Sequence, residues 1–127
     1  MKLAIEYKGE EAGTLIYYIE KDKKGKENRG YINYIDVLEK YRGKGIATCL
    51  LWHLYDILYN KGVKHVEFDD CSDFYRDKNN IYLKVGAKYK EETGPEMRWK
   101  IWTKNVKMLR EKYNGYKYNI RDMKDIK

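Results

Sequence analysis

At 127 residues the chain is long enough for one domain with its own core, and needs no disulfide staples. Its two cysteines, Cys49 and Cys71, show neither framework nor metal-ligand spacing, which argues against a disulfide scaffold or a zinc module and fits a reducing, cytoplasmic setting. The net charge of +7 is lopsided: residues 98–127 hold ten Lys/Arg against three Asp/Glu, whereas residues 1–97 hold 17 of each sign.

The start, Met1-Lys2-Leu3-Ala4-Ile5-Glu6, carries charge where a secretory leader needs an apolar core. No apolar run approaches the roughly 20 residues of a membrane helix. Leu3, Ile5 and Tyr7 alternate with polar residues and predict a strand, turned at 9–13. Thr14 to Glu20 predicts a second strand, apolar on both faces. A charged loop over 21–29 leads to a third strand from Gly30 to Leu38, and the three make an antiparallel meander.

Next comes Glu39-Lys40-Tyr41-Arg42-Gly43-Lys44-Gly45, then a helical pattern. Ala47, Leu50, Leu51, Leu54, Ile57 and Leu58 share one face at i, i+3, i+4 spacing, and Gly62 ends the helix as a C′ residue. His53 lies off that stripe and reads as a surface residue. Val63 to Phe68 predicts a strand, and the strand–helix–strand unit implies a right-handed crossover with the two strands parallel. Ser72 or Asp73 is expected to cap a helix running to about Val85, with Gly86 as its stop. Ala87–Lys90 and Glu96–Trp102 predict a closing hairpin. Thr103 is expected to cap a basic helix reaching about Tyr113, and Tyr116–Lys127 shows no pattern and reads as a frayed end.

The glycine turn is the chemically informative element. A strand, a glycine turn and a helix point unpaired N–H groups and the positive end of a helix dipole at an anion. Arg42 and Lys44 add charge. The order Arg42-x-x-Gly45-x-Ala47 resembles the acetyl-CoA pyrophosphate loop of the GNAT acetyltransferases. Tyr82-Leu83-Lys84-Val85-Gly86-Ala87 resembles that family's Tyr-x-Lys-x-Gly-Phe, with Ala in place of Phe.

The resemblance covers about residues 1–102. It implies an α/β GNAT-like mixed sheet, with a basic helical extension over 103–127. It also implies that the family's first strand and two front helices are missing here. Acetyl-CoA would be held by backbone N–H groups of Gly43, Lys44, Gly45, Ile46, Ala47 and Thr48, with Arg42 beside them. The pantetheine arm would pair with the main chain at Ile35, Asp36 and Val37. Tyr82 takes the family's general-acid position. The family often carries a cofactor-binding Asn seven residues before that Tyr, where this chain has Tyr75.

For a general base, Asp36, Glu67, Asp69, Asp70 and His65 are candidates near the strand ends, with Glu67 placed first. The implied activity is transfer of acetyl to a primary amine, a protein lysine being slightly favoured over a polyamine or other small amine. The alternative is a non-catalytic CoA-binding module that engages protein or nucleic acid. Trp99, Trp102, Tyr113, Tyr116 and Tyr118 among basic residues have the composition of a single-strand nucleic-acid groove, yet no RNA or DNA module signature is present. A monomer or a homodimer is expected, with no membrane partner.

Overall fold

The computed structural model describes residues 1–101 and 119–123. One seven-stranded sheet runs β5-β6-β4-β3-β2-β1-β7. Its strands are β1 (Lys2–Tyr7), β2 (Glu10–Lys21), β3 (Glu27–Val37), β4 (His65–Asp69), β5 (Lys88–Tyr89), β6 (Glu96–Lys100) and β7 (Asn119–Met123), and its helices are α1 (Ile46–Asn60) and α2 (Ile81–Lys84).

The expected meander forms, with β1 antiparallel to β2 and β2 antiparallel to β3. Lys8 and Gly9, both at positive φ, make the first turn, so β2 begins earlier than its apolar pattern suggested. β4 lies parallel to β3, as the crossover rule requires. β6 then pairs antiparallel with both β4 and β5, giving the closing hairpin.

Helix α1 packs on one face of the sheet. Leu50, Leu51, Leu54 and Leu58 are fully buried, beside an aromatic group of Trp52, Tyr55 and Trp99. Two strand glycines let the helix come close. A Cβ on Gly13 would stand 2.5 Å from the Ile46 Cγ2, and one on Gly30 would stand 3.1 Å from a Leu58 methyl. At the far end Gly62 adopts φ 73°, and Val63 N–H returns to the Leu58 carbonyl at 3.0 Å, the expected glycine stop.

Two features set up the site. Tyr34 faces Ile16 but Ile32 faces Tyr17, so Asn33 is an extra residue in β3, a bulge that bends the strand. On its other edge β3 pairs with β4 only at Gly30–Val66 and Tyr31–Glu67. Beyond Tyr31 the two parallel strands separate.

Two expectations are corrected. The helix from Ser72 or Asp73 to Val85 is in fact a chain of turns followed by a four-residue α2. Its start closes into successive backbone turns, Tyr75 N–H to Ser72 and Asp77 N–H to Phe74, while side chains of Asp70, Tyr89 and Asn80 take the Ser72 and Arg76 amides and the Phe74 carbonyl, which competes with a helical ladder. Part of the tail read as patternless is also ordered: β7 adds antiparallel to β1, so 119–123 belong to the sheet rather than to a helical extension. The helix expected over Thr103–Tyr113 lies outside the described residues.

Candidate active site

Where β3 and β4 part, a cleft of about 670 Å³ opens. One wall is β3 from Tyr31 to Val37, the second is the glycine turn with the first residues of α1, and the third is Phe68 to Phe74 with Ile81 and Tyr82, omitting Asp70. Ile35, Asp36, Val37, Arg42, Gly43, Gly45, Ile46, Ala47, Thr48 and Tyr82 all line it, so one space brings the glycine motif together with the tyrosine that opens the second motif.

The shape of the turn is set by its backbone. Gly43 has φ 80° and Gly45, the N-cap of α1, has φ 81°, a region in which a side chain is strained. At Gly43 a Cβ would meet nothing within 4 Å, so handedness rather than space demands glycine there. No side chain caps α1, and its first turn holds no acidic residue. A 15-residue helix thus presents its positive end to the cleft with no carboxylate of its own to neutralise it.

Arg42 braces the turn. Its Nε donates to the Val37 carbonyl at 3.0 Å and its guanidinium lies 3.6 Å from Asp36. Just before it, Tyr41 donates to Glu10 at 2.5 Å, fastening the turn to the β1–β2 hairpin. The Lys44 side chain points elsewhere. It does not line the cleft, and its ammonium sits 5.9 Å over the Tyr7 ring.

Tyr82 is buried, with its ring 4.8 Å from that of Phe68. Burial, then the charge of Asp70 and the Cys71 thiol, push its phenol up to about 12. It is therefore protonated throughout the neutral range. Tyr75, at the family's asparagine position, is turned elsewhere: its hydroxyl donates to the carbonyls of Thr93 or Gly94 at 3.2 and 3.3 Å.

Glu67 stands apart from the cleft lining. It is buried among cations: Arg29 at 2.8 Å, Arg98 at 3.0 Å and Lys90 at 3.4 Å. Burial alone would raise its pKa, but Arg98, Lys90 and Arg29 outweigh that and hold it below the ordinary value. His65 belongs to the same cluster, 3.8 Å from Glu67, with its pKa lowered by burial and by Arg98. Of the other base candidates, Asp36 and Asp69 line the cleft, while Asp70 lies buried behind its wall. Among the described residues no group of His, Cys, Asp or Glu could hold a metal ion.

Residues 2–87 match the acetyltransferase (GNAT) family. The chain belongs to that family. As a member it is an acyltransferase whose cosubstrate is acetyl-CoA.

Solved GNAT structures share its fold. The ribosomal-protein-S18-alanine N-acetyltransferase of Escherichia coli superposes with a TM-score of 0.61 at 20% identity, over 80% of this chain and 68% of its own. Naa50 of Arabidopsis thaliana, solved with the bisubstrate analogue CoA-Ac-MVNAL, gives 0.64 at 22% identity, over 77% and 71%. A GNAT acetyltransferase from Brucella melitensis in complex with acetyl-CoA gives 0.59 at 15% identity, over 80% and 58%. No curated protein matches the sequence.

In the sequence Asp70 stands only as a base candidate and Asn80 has no role, whereas in the fold the two together build the third wall. Asn80 directly before Ile81 is a helix N-cap signal, and it was present in the sequence.

Proposed function

We propose that the protein transfers acetyl from acetyl-CoA to a primary amine carried by another protein. The observation that carries the reading is the shared cleft: an uncapped helix N-terminus on one wall and a protonated phenol on another. The pyrophosphate binds the N–H groups of 43–48. The pantetheine arm pairs along Ile35 to Val37, on the β3 edge that β4 leaves beyond Tyr31.

The amine nitrogen attacks the thioester carbonyl, and backbone N–H groups of β3 stabilise the oxyanion. The C–S bond then breaks, and Tyr82 gives its proton to the departing sulfur. Because the phenol is the weaker acid, this transfer accompanies bond cleavage rather than following it. The amine's surplus proton leaves through water and restores the phenol, so the products are an amide and a neutral thiol.

Glu67 fits a holding role better than that of base, since three cations already claim its carboxylate. That bears on the acceptor. A lysine amine of pKa about 10.4 needs a strong base, whereas an α-amine near about 7.8 keeps a substantial neutral fraction around neutral pH. An N-terminal α-amine, which loses its proton more readily, is therefore the acceptor we favour over the lysine expected from sequence. Relatives whose names specify an acceptor, a ribosomal-protein alanine or a peptide conjugate, are in keeping with it.

The test offers acetyl-CoA with peptides bearing a free N-terminus, a free lysine, or neither, and follows CoA release. Transfer to the free N-terminus alone is expected. Tight acetyl-CoA binding with no release for any amine would overturn the catalytic reading in favour of a CoA-binding module.

A further inference from the structure

The third wall is held by side chains, and one carboxylate is at its centre. Asp70 directly follows β4 and is 3% exposed. Its Oδ1 accepts from the Ser72 hydroxyl at 2.6 Å and the Ser72 amide at 3.1 Å. Its Oδ2 accepts from Asn80 Nδ2 at 2.7 Å and from the Tyr89 hydroxyl at 2.5 Å. Asn80, 1% exposed, passes the constraint on. Its Nδ2 also donates to the Phe74 carbonyl at 3.0 Å, and its Oδ1 accepts from the Tyr82 amide at 2.8 Å. Two hydrogen bonds thus link Asp70 to the backbone of Tyr82.

We propose that Asp70 is a positioning residue for acetyl transfer: through Asn80 it fixes the start of α2, and with it the aim of the Tyr82 phenol into the cleft. The inference rests on Tyr82 as the proton donor. With four residues, α2 is too short to set its own start, so the cap decides where Tyr82 stands.

An ionised carboxylate suits the task because it only accepts, and four donors converge on it. Those donors keep it ionised. Burial would raise its pKa, but the bonds from Ser72, Tyr89 and Asn80 lower it overall. On the other side of Tyr89 the Arg76 guanidinium lies 4.3 Å over the ring, and Arg76 donates to the Glu91 and Gly94 carbonyls at 2.9 and 2.8 Å. The wall is thereby tied to the β5–β6 hairpin. Asp70 also has an electrostatic effect: a negative charge near the phenol disfavours phenolate, and Cys71 acts in the same sense.

The test uses the full chain carrying Asp70→Asn or Asn80→Ala, each alone and combined with Tyr82→Phe. Either single substitution should lower kcat on the order of ten- to hundredfold, by misaiming the donor. The acetyl-CoA dissociation constant should stay within about threefold. On the Tyr82→Phe background the same substitutions should cost less than about twofold, because the group they aim is gone. In the ligand-free protein with ring-13C tyrosine, the Tyr82 resonance should move in both variants. In Asp70→Asn its titration should begin at lower pH than in the wild type.

A full kcat loss retained on the Tyr82→Phe background, or an unmoved Tyr82 resonance in both variants, overturns the proposal. An unchanged rate in Tyr82→Phe would instead sink the proton-donor reading, and the resonance would still decide whether Asp70 aims the ring. Asn80→Ala leaves Asp70 in place, so it gives the answer if Asp70→Asn fails to fold.

Discussion

The two walls that meet over the cleft are built on opposite plans. The donor wall is almost all backbone: a bulged strand, two glycines at positive φ and a bare helix N-terminus. The acid wall, from Phe68 to Tyr82, has little regular structure and depends on Asp70, Asn80, Tyr89 and Arg76 for its shape. Backbone recognition tolerates almost any neighbouring side chain but no change in chain geometry. A side-chain scaffold tolerates chain irregularity, but each member counts. The donor wall should therefore fail through its glycines, and the acid wall through its polar residues.

The largest effect is expected from Gly45→Asp. It forces a side chain into φ 81° and sets a carboxylate against the incoming diphosphate. Acetyl-CoA binding measured by calorimetry should weaken at least about a hundredfold; affinity within a factor of a few would detach the glycine turn from donor binding. Tyr82→Phe comes next. Turnover should fall about a hundredfold or more with donor affinity nearly unchanged, since the ring stays and only the proton goes. Equal losses in both would make Tyr82 a binding residue and erase the contrast between the walls.

Glu67→Gln should act on stability rather than chemistry. It leaves Arg29, Arg98 and Lys90 without their shared anion, and denaturant melts at neutral pH should show a loss of about 1–3 kcal/mol. A carboxylate whose folded pKa is depressed stabilises above its unfolded pKa, and that contribution fades as pH falls through the folded value. Wild type and variant should therefore converge in acid. A collapse of kcat with an altered acid limb would reinstate Glu67 as the base.

The smallest effect is expected from Gly13→Ala, whose Cβ would press on the Ile46 Cγ2 at 2.5 Å. The side chain has to yield, at a cost of about 1 kcal/mol in thermal melts. Since Ile46 opens α1, donor affinity should drop slightly with it.

The donor wall was legible in the sequence because its determinants are local. Alternation marks β3, glycines mark the turn, and the 3.6-residue period of Leu50, Leu54 and Leu58 marks α1. The parallel pairing of β3 with β4 followed from the strand–helix–strand order, in which the helix carries the chain back before the next strand starts. The acid wall was not legible in that way. Residues 72–80 were read as helical, but their fold is decided by partners far along the chain: Tyr75 on Thr93 and Gly94, Arg76 on Glu91, Asp70 on Tyr89. The ion pairs of Glu67 were hidden for the same reason, because Arg29 and Arg98 reach it only once the sheet has formed. β7 shows no apolar alternation strong enough to declare a strand, and its place is given by β1.

That last strand bears on how the protein can be handled. β1 is flanked on both sides, by β2 and by five residues from the far end of the chain. Trimming the basic terminus to ask what it contributes would also strip that covering strand and lay bare a row of amide and carbonyl groups from Lys2 to Glu6. Naked margins of this kind recruit other chains, so a shortened protein should be checked for self-association before any loss of activity is blamed on the missing charge.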